Sequence, residues 1–259
     1  MLPLNYSAKD NKKEVILPAI SGVNSILSAA EKSNVQRVVV TSSFASIIDI
    51  NRDSSEYFTY TAADWNPLTY TEAIDKSTSP VIAYRGSKKF AELAAWEFIQ
   101  EKNPTFDLVT ICPPMTFGPV VHPLESLEQL NESNSELWKV ASGAKLPIVR
   151  VPFWVDVRDL AAAHVKALLR KGAGNKRFVV ASPERYSYSL AAKAVVSRCP
   201  RAKGKVSEEV QEIDESFGLD GETAEKELGI TYRSFEASVV DLLSQLAELD
   251  QERSKADHH

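Results

Sequence analysis

The stretch RVVVTSS, residues 37–43, is a short run rich in β-branched residues that ends in three hydroxyl side chains. A continuous apolar run of this length is typical of a strand buried on both faces of a parallel sheet. Thr41, Ser42 and Ser43 would then lie at the carboxyl end of the strand, where open α/β sheets form their ligand crevices. The same hydroxyls could equally cap the strand end or the following turn.

The segments around this run alternate between helical and strand-like patterns. The spacing of apolar residues predicts, in order, a helix over 16–32, a strand over 37–43, a helix over 81–102, a strand over 107–112, a helix over 160–169 and a strand over 177–181. Such alternation predicts an α/β fold with a parallel sheet and right-handed crossovers.

The last third of the chain is more polar, and its pattern predicts helices only. These lie near residues 190–198, 221–228 and 235–249. Residues 131–135 are polar enough to predict a mobile loop. The chain is therefore expected to have an α/β part at residues 1–182, a small, mostly helical lobe at 183–251 and a tail at 252–259.

Composition excludes several classes of protein. The 259 residues are 44% hydrophobic and 25% charged, which is ordinary for a globular protein, and the net charge of −5 is not concentrated in a basic patch. Nucleic acid is therefore not an expected partner. Cys112 and Cys199 form no CxxC spacing, so no disulfide framework and no metal site are expected. No signal peptide or membrane span is visible in the sequence. We therefore expect the protein to be cytoplasmic and expect no membrane partner.

Tyr84 and Lys88, in the segment YRGSK, are four residues apart in a predicted helix. This spacing places a phenol and an ammonium on one helix face, about one turn from each other. A cation beside a tyrosine stabilises the phenolate and lowers the pKa of the phenol, so that it can serve as a general acid. A tyrosine and a lysine at this spacing also occur as an ordinary pair on a helix surface.

Several motifs occur in an order that resembles one known family. They are RVVVTSSFASI, DWNP, AYRGSKKFAELAAWEF, CPPMTFGP and VDVRDLAAAH, and they span nearly the whole chain. In this order and spacing they resemble the extended short-chain dehydrogenase/reductase family, in the branch of fungal aldehyde and ketone reductases of the methylglyoxal type and plant dihydroflavonol reductases. The resemblance implies a Rossmann-like, doubly wound parallel sheet with a small, mostly helical substrate lobe at the C-terminus.

The resemblance also implies roles for individual residues. Tyr84 would be the general acid, Lys88 would lower its pKa and bind the nicotinamide ribose, and Ser43 would orient the substrate carbonyl, with Ser42 as the fallback. The implied cofactor-binding residues are Thr41, Ser42, Tyr84, Lys88, Pro113, Pro114, Met115 and Thr116. The implied substrate-binding residues are Leu4, Phe44 and Met115, for which apolar packing is an equally good explanation.

The implied activity is NADPH-dependent reduction of a small-molecule aldehyde or ketone. The same serine, tyrosine and lysine also serve NAD(P)-dependent epimerases and dehydratases, which is the first alternative. A non-catalytic binding protein on the same scaffold is the second. In VDVRD, Arg158 lies between Asp156 and Asp159, an arrangement that more often forms a structural ion pair than a catalytic group. His164, in an alanine-rich helix, is predicted to be a packing residue.

The chain departs from the family in one respect. The family opens with a strand, a glycine-rich GxxGxxG turn and a helix whose N-terminus holds the pyrophosphate, and this sequence has no such segment; residues 218–221 are predicted to form a simple turn. The fold is thus expected to be incomplete, with strand 37–43 at an exposed edge that favours self-association. The chain is also expected to bind free NADPH weakly.

Overall fold

The computed structural model describes residues 7–256. Eight α-helices are present in this part of the chain: α1 (Leu17–Glu31), α2 (Tyr70–Ile74), α3 (Pro80–Lys102), α4 (Glu132–Ala141), α5 (Val157–Leu169), α6 (Tyr188–Arg198), α7 (Glu222–Ala224) and α8 (Phe235–Ala256). Seven strands accompany them: β1 (Arg37–Thr41), β2 (Phe58–Tyr60), β3 (Asp107–Cys112), β4 (Met115–Phe117), β5 (Trp154–Asp156), β6 (Lys176–Val179) and β7 (Phe217–Leu219). The α/β fold class is confirmed.

A three-stranded parallel sheet carries the predicted strands in the order β1, β3, β6. Each strand is followed or preceded by a helix long enough to cross back over the sheet, which is the connection that parallel strands require. Among residues 7–256, no strand pairs with the other side of β1. The expected covering of this edge by a second chain stays a prediction.

The chain folds into two compact units. The first takes in residues 7–114, 162–180 and 216–230, and the second takes in residues 115–161, 181–215 and 231–256. The first contains the three-stranded sheet and a short parallel pair of β2 with β7, and the second contains a parallel pair of β4 with β5. The predicted substrate-covering lobe at residues 183–251 stays a prediction.

Each unit has its own apolar core. In the first, helices α1 and α3 pack on the sheet through Leu27, Ala95 and Leu108, none of which is exposed. In the second, an aromatic cluster forms where Phe117 contacts Trp154 and Tyr186 edge-on or tilted. Large side chains buried in this way account for most of the hydrophobic stabilisation of a domain.

Two local predictions were wrong. Residues 131–135 do not form a loop, because helix α4 begins at Glu132 and its polar side chains have partners. Ser133 Oγ donates to the Thr116 carbonyl, and Asn134 Nδ2 donates to the Gly118 carbonyl at 2.9 Å. In the predicted turn at 218–221, Gly218 instead lies in strand β7, opposite Thr59. A Cβ at Gly218 would come within 2.5 Å of the Tyr57 hydroxyl, so glycine permits the close approach.

Within residues 7–256, no helix combines the length and apolar character that a bilayer-spanning helix needs.

Candidate active site

Helix α3 positions the predicted tyrosine and lysine. Ser79 caps its start by accepting from the Ile82 N–H, and Pro80 is its first residue. Asn103, in the left-handed conformation, caps its end. These are strong start and stop signals for a helix. Within it, Lys88 Nζ lies 5.0 Å from the ring centroid of Tyr84. The predicted pairing of the phenol and the ammonium on one helix face is confirmed.

Burial lowers the pKa of Lys88. Lys88 is only 7% exposed, and the loss of hydration lowers the pKa of its ammonium from 10.5 to about 8. Desolvation disfavours the charged form of a lysine, which explains the direction. A lysine with this pKa remains mostly charged at neutral pH, and strongly perturbed ionisable groups are common at functional sites.

Gly86, between the tyrosine and the lysine, allows another helix to approach α3. A Cβ at this position would lie 2.5 Å from the Cβ of Ala73 on α2. This distance is shorter than any ordinary contact, so the two helices could not pack as they do with alanine at position 86. The glycine of the YRGSK segment thus has a packing role that the sequence pattern alone did not reveal.

The turn after β1 presents Ser43. Residues 44–46 form one turn of 3-10 helix, and the Ser43 hydroxyl caps it by accepting from the Ala45 N–H at 3.1 Å. Ser43 is half-buried. The Phe44 N–H donates to the Pro113 carbonyl at 2.9 Å, so the chain after β3 supports the turn. Both of the sequence interpretations of Ser43, a site hydroxyl and a capping residue, are compatible with this geometry.

Ser42 points away from Ser43 into a buried polar cluster. Its hydroxyl donates to Glu92 Oε2 at 2.5 Å, and Ser42 is only 4% exposed. Glu92 also pairs with Arg177 of β6, with Nε to Oε1 at 2.8 Å. Neither Glu92 nor Arg177 was predicted from the sequence to be a site residue. Glu92 follows Lys88 by four residues, so helical spacing placed it on the same face, and a carboxylate on a buried face was the available signal.

Asn66, in the DWNP segment, connects the Ser43 turn to helix α3. Its amide Nδ2 donates to the Ala45 carbonyl at 2.7 Å and to the Arg85 carbonyl at 3.4 Å. Its backbone N–H donates to the Ser46 carbonyl at 2.9 Å. One buried amide therefore holds the turn that carries Ser43 beside the helix that carries Tyr84.

Thr41 has a partner on helix α5. Its hydroxyl and His164 Nε2 of α5 are 2.7 Å apart. His164 was predicted to be a packing residue only, and that description was incomplete, because an imidazole at this distance from a hydroxyl makes a hydrogen bond. The alanine-rich sequence around it gave no sign of the partner, which lies 123 residues earlier in the chain.

The remaining predicted site residues belong to both units. Phe44 is only 3% exposed and packs edge-on against Tyr60, with ring centroids 5.8 Å apart, as expected for a packing residue. Pro113 is buried and Pro114 is half-buried in the first unit. Met115 and Thr116 belong to β4 of the second unit and are half-buried. Leu4 lies outside the described residues.

A groove runs along β1 between α1 and α3. It has a volume of about 530 Å³, with apolar walls from Val23, Ile26 and residues 38–40. Its polar lining consists of Thr41, Ser42, Lys88 and Glu92. The predicted lysine therefore borders an open space rather than a filled core.

Comparison with known proteins shows the family to which the chain belongs. None of the protein-family models matches the chain. The chain is 38% identical over 245 residues to a putative uncharacterised oxidoreductase from Schizosaccharomyces pombe, covering 94% of this chain and 72% of that protein. It is 30% identical over 261 residues to the NADPH-dependent methylglyoxal reductase of Saccharomyces cerevisiae, covering 96% and 75%. The chain belongs to the extended short-chain dehydrogenase/reductase family. The resemblance read from its motifs is confirmed.

A solved structure extends the likeness to the fold of this reductase family. The chain superposes on Gre2 from Candida albicans, solved in complex with NADPH, with a TM-score of 0.81 and 31% identity. The match covers 96% of this chain and 75% of that protein. The Rossmann-like architecture predicted for the chain is therefore shown.

Proposed function

We propose that this protein is an NADPH-dependent carbonyl reductase in which Tyr84 acts as the general acid. The observation that carries the proposal is the juxtaposition of the Tyr84 ring and the buried Lys88 ammonium, 5.0 Å apart on one face of α3. The named relatives support the reaction class, because they include an NADPH-dependent methylglyoxal reductase and a ketoreductase. The substrate would be a small aldehyde or ketone.

Three side chains would share the chemistry. The phenol of Tyr84 would give its proton to the substrate oxygen as negative charge develops there. The ammonium of Lys88 would stabilise the phenolate that remains, an electrostatic effect strengthened by its burial. The hydroxyl of Ser43 would donate to the same substrate oxygen and orient the carbonyl. Ser43 suits this role better than Ser42, since Ser42 Oγ is already bound to Glu92.

The described residues fit the nicotinamide-ribose end of the cofactor. Lys88 borders the groove along β1, and a cationic donor beside a phenol can hydrogen-bond ribose hydroxyls. NADPH, when bound, supplies the hydride for the carbonyl carbon. The protein's own residues then have to hold the carbonyl in place, exclude competing water and deliver one proton from the Tyr84 oxygen.

The substitution Tyr84→Phe tests the proposal. It removes the phenol oxygen and keeps the ring, so we expect turnover of a small aldehyde to fall by about 10²–10⁴-fold. The dissociation constant for NADPH, measured by isothermal titration, should change little, and turnover is measured at NADPH concentrations above that constant.

The matched control is Tyr57→Phe, which makes the same change at a tyrosine that is 66% exposed. It should leave turnover unchanged. If Tyr84→Phe keeps most of its turnover, Tyr84 is not the general acid and the proposed mechanism fails.

A further inference from the structure

Glu92 is a buried carboxylate that accepts hydrogen bonds from both sides of the Ser43 turn. Its Oε2 accepts from Ser42 Oγ at 2.5 Å and from Ser46 Oγ at 2.6 Å. Its Oε1 accepts from Thr110 Oγ1 at 2.6 Å. The residue is 2% exposed, so water cannot replace these donors. One oxygen atom therefore holds the residue before Ser43 and the residue three positions after it.

Arg177 fixes the orientation of this carboxylate. Its Nε donates to Glu92 Oε1 at 2.8 Å and its Nη2 to Oε2 at 3.2 Å, a bidentate arrangement. The guanidinium stacks on Trp65 with its central carbon 3.7 Å from the ring centroid, and Nη1 donates to the carbonyls of Ala62 and Asp64. Because all three nitrogens and one face of the guanidinium are engaged, Arg177 can move only together with its surroundings.

The electrostatics keep Glu92 ionised. Burial by itself would raise the pKa of this carboxyl, but the hydrogen bonds and charge of Arg177 and the donor hydroxyls outweigh burial and lower the pKa. An ionised carboxylate accepts at both oxygens and donates at neither. It can therefore satisfy all of these donors at once, which a neutral side chain of the same shape cannot.

We propose that Glu92, held by Arg177, is a positioning residue that sets the location of Ser43 relative to Tyr84 and Lys88. The helix that carries Glu92 also carries Tyr84 and Lys88, two turns and one turn earlier. The hydrogen bonds to Ser42 and Ser46 thus tie the Ser43 turn directly to the helix of the other two groups. This inference rests on the proposed function of those three residues and adds the element that aligns them.

Two substitutions at Glu92 distinguish a role in positioning the Ser43 turn from a role in balancing the charge of Arg177. Glu92→Gln places an amide N–H₂ against the donor hydroxyls or against Arg177, so the turn must shift. Glu92→Asp keeps the negative charge for Arg177 but is one methylene shorter and cannot also reach Ser42 and Ser46. The matched control is Glu97→Gln on the exposed side of the same helix.

Amide hydrogen exchange reports whether the backbone hydrogen bonds of the turn are kept, and the measurement needs no cofactor. The N–H groups of Ser42, Phe44 and Ser46 donate to carbonyls at 2.7 Å, 2.9 Å and 2.9 Å in the native fold. We expect both Glu92 variants to speed exchange in residues 42–46 by about tenfold or more beyond any change in helix α8 of the other unit, which reports the loss of global stability.

Turnover gives the second readout. Displacement of a reacting group by about 1 Å can cost 10²-fold, so kcat should fall by about 10–100-fold in both variants, with the KM for NADPH within a few-fold of the native value. The denaturant midpoint of unfolding should fall much less in Glu92→Asp than in Glu92→Gln, whereas kcat should fall in both variants.

Each outcome decides the inference. If Glu92→Asp recovers kcat together with stability, or if exchange quickens equally in both units, Glu92 only balances charge and the inference is overturned. If Tyr84→Phe keeps its turnover while the exchange of residues 42–46 still responds to Glu92, the proposed function fails and the alignment of the turn stands.

Discussion

Glu92–Arg177 and Asp156–Arg158 are ion pairs that each contain a buried carboxylate and that differ in how they are built. Glu92 pairs with Arg177, 85 residues away in sequence, and the two side chains are 1% and 8% exposed. Asp156 pairs with Arg158, two residues away, and their side chains are 0% and 35% exposed. The first pair lies in the unit that contains the candidate active site, and the second lies in the other unit. The Asp156–Arg158 pair can be predicted from a sequence motif, and the Glu92–Arg177 pair cannot.

The two arginines differ in what remains if the carboxylate is lost. Arg158 also contacts Asp241 at 2.7 Å and reaches solvent, so it would keep a counter-charge and hydration. Arg177 is enclosed by Trp65 and by backbone carbonyls, which offer hydrogen bonds but no negative charge. A buried charge without a counter-charge is strongly destabilising, whereas an exposed one is not.

The largest expected effect follows from this difference. Glu92→Gln should lower the free energy of unfolding by about 3–5 kcal/mol, because it leaves Arg177 buried without a counter-charge. Asp156→Asn should lower it by only about 1–3 kcal/mol, the cost of imperfect hydrogen bonding around the amide. Guanidinium unfolding of both variants at one pH measures the difference. Equal losses in the two variants would show that exposure of the arginine does not matter.

The same contrast explains how much of the site the sequence could predict. Helix α3 and strand β3 were predicted nearly to the residue, because caps, prolines and apolar periods are local signals. The Tyr84–Lys88 pair follows from spacing within one helix. The Asp156–Arg158 ion pair was also predicted, since a turn at a helix start brings neighbours together.

What the sequence could not show depends on the packing of distant elements. Glu92 meets Ser42, Thr110 and Arg177 only because α3 lies across β1, β3 and β6. No local sequence pattern predicts these contacts. For the same reason, the hydrogen bond between Thr41 and His164 could not be predicted from the sequence. The residues that we propose to carry the chemistry were visible in the sequence, and those that we propose to align them were not.

Lys88 sharpens the comparison because burial disfavours its charge, whereas the partners of Glu92 outweigh burial and favour the charge of that carboxylate. The folded state lowers both pKa values, which favours the ionised form of Glu92 and disfavours the ionised form of Lys88. Between about pH 8 and pH 10.5 the unfolded chain still holds the lysine proton, whereas the folded chain has lost it. Stability therefore rises with pH through this window as far as Lys88 is concerned.

The substitution Lys88→Met removes this penalty. At pH 7 the variant should be more stable than the native chain by about 1–3 kcal/mol, less than the full shift implies because the contact of the ammonium with the Tyr84 ring is lost. The gap should shrink as the pH is raised toward 10. Denaturant unfolding at a series of pH values measures it. Lys76→Met, at an exposed lysine, is the control and should show no such trend.

The smallest expected effect concerns Asp159, which lies in the same motif as Asp156 and differs from it in electrostatics. Burial raises the pKa of Asp159, and the hydrogen bonds and charge of Arg233 only partly offset this, whereas the donors around Asp156 lower its pKa in spite of burial. A raised carboxyl pKa means that ionisation costs stability as the pH rises, which is the opposite of the sign for Asp156.

In Asp159→Asn the amide oxygen can still accept from the Arg233 backbone N–H, a bond of 2.7 Å in the native chain, and the half-exposed Arg233 side chain can be hydrated. We therefore expect the free energy of unfolding at pH 7 to change by less than about 1 kcal/mol. On acidification the native chain should gain stability relative to Asp159→Asn and lose it relative to Asp156→Asn, and thermal unfolding of the three proteins at several pH values below 7 measures both trends. If both variants shift in the same direction, the two aspartates are in equivalent environments and the contrast between them is wrong.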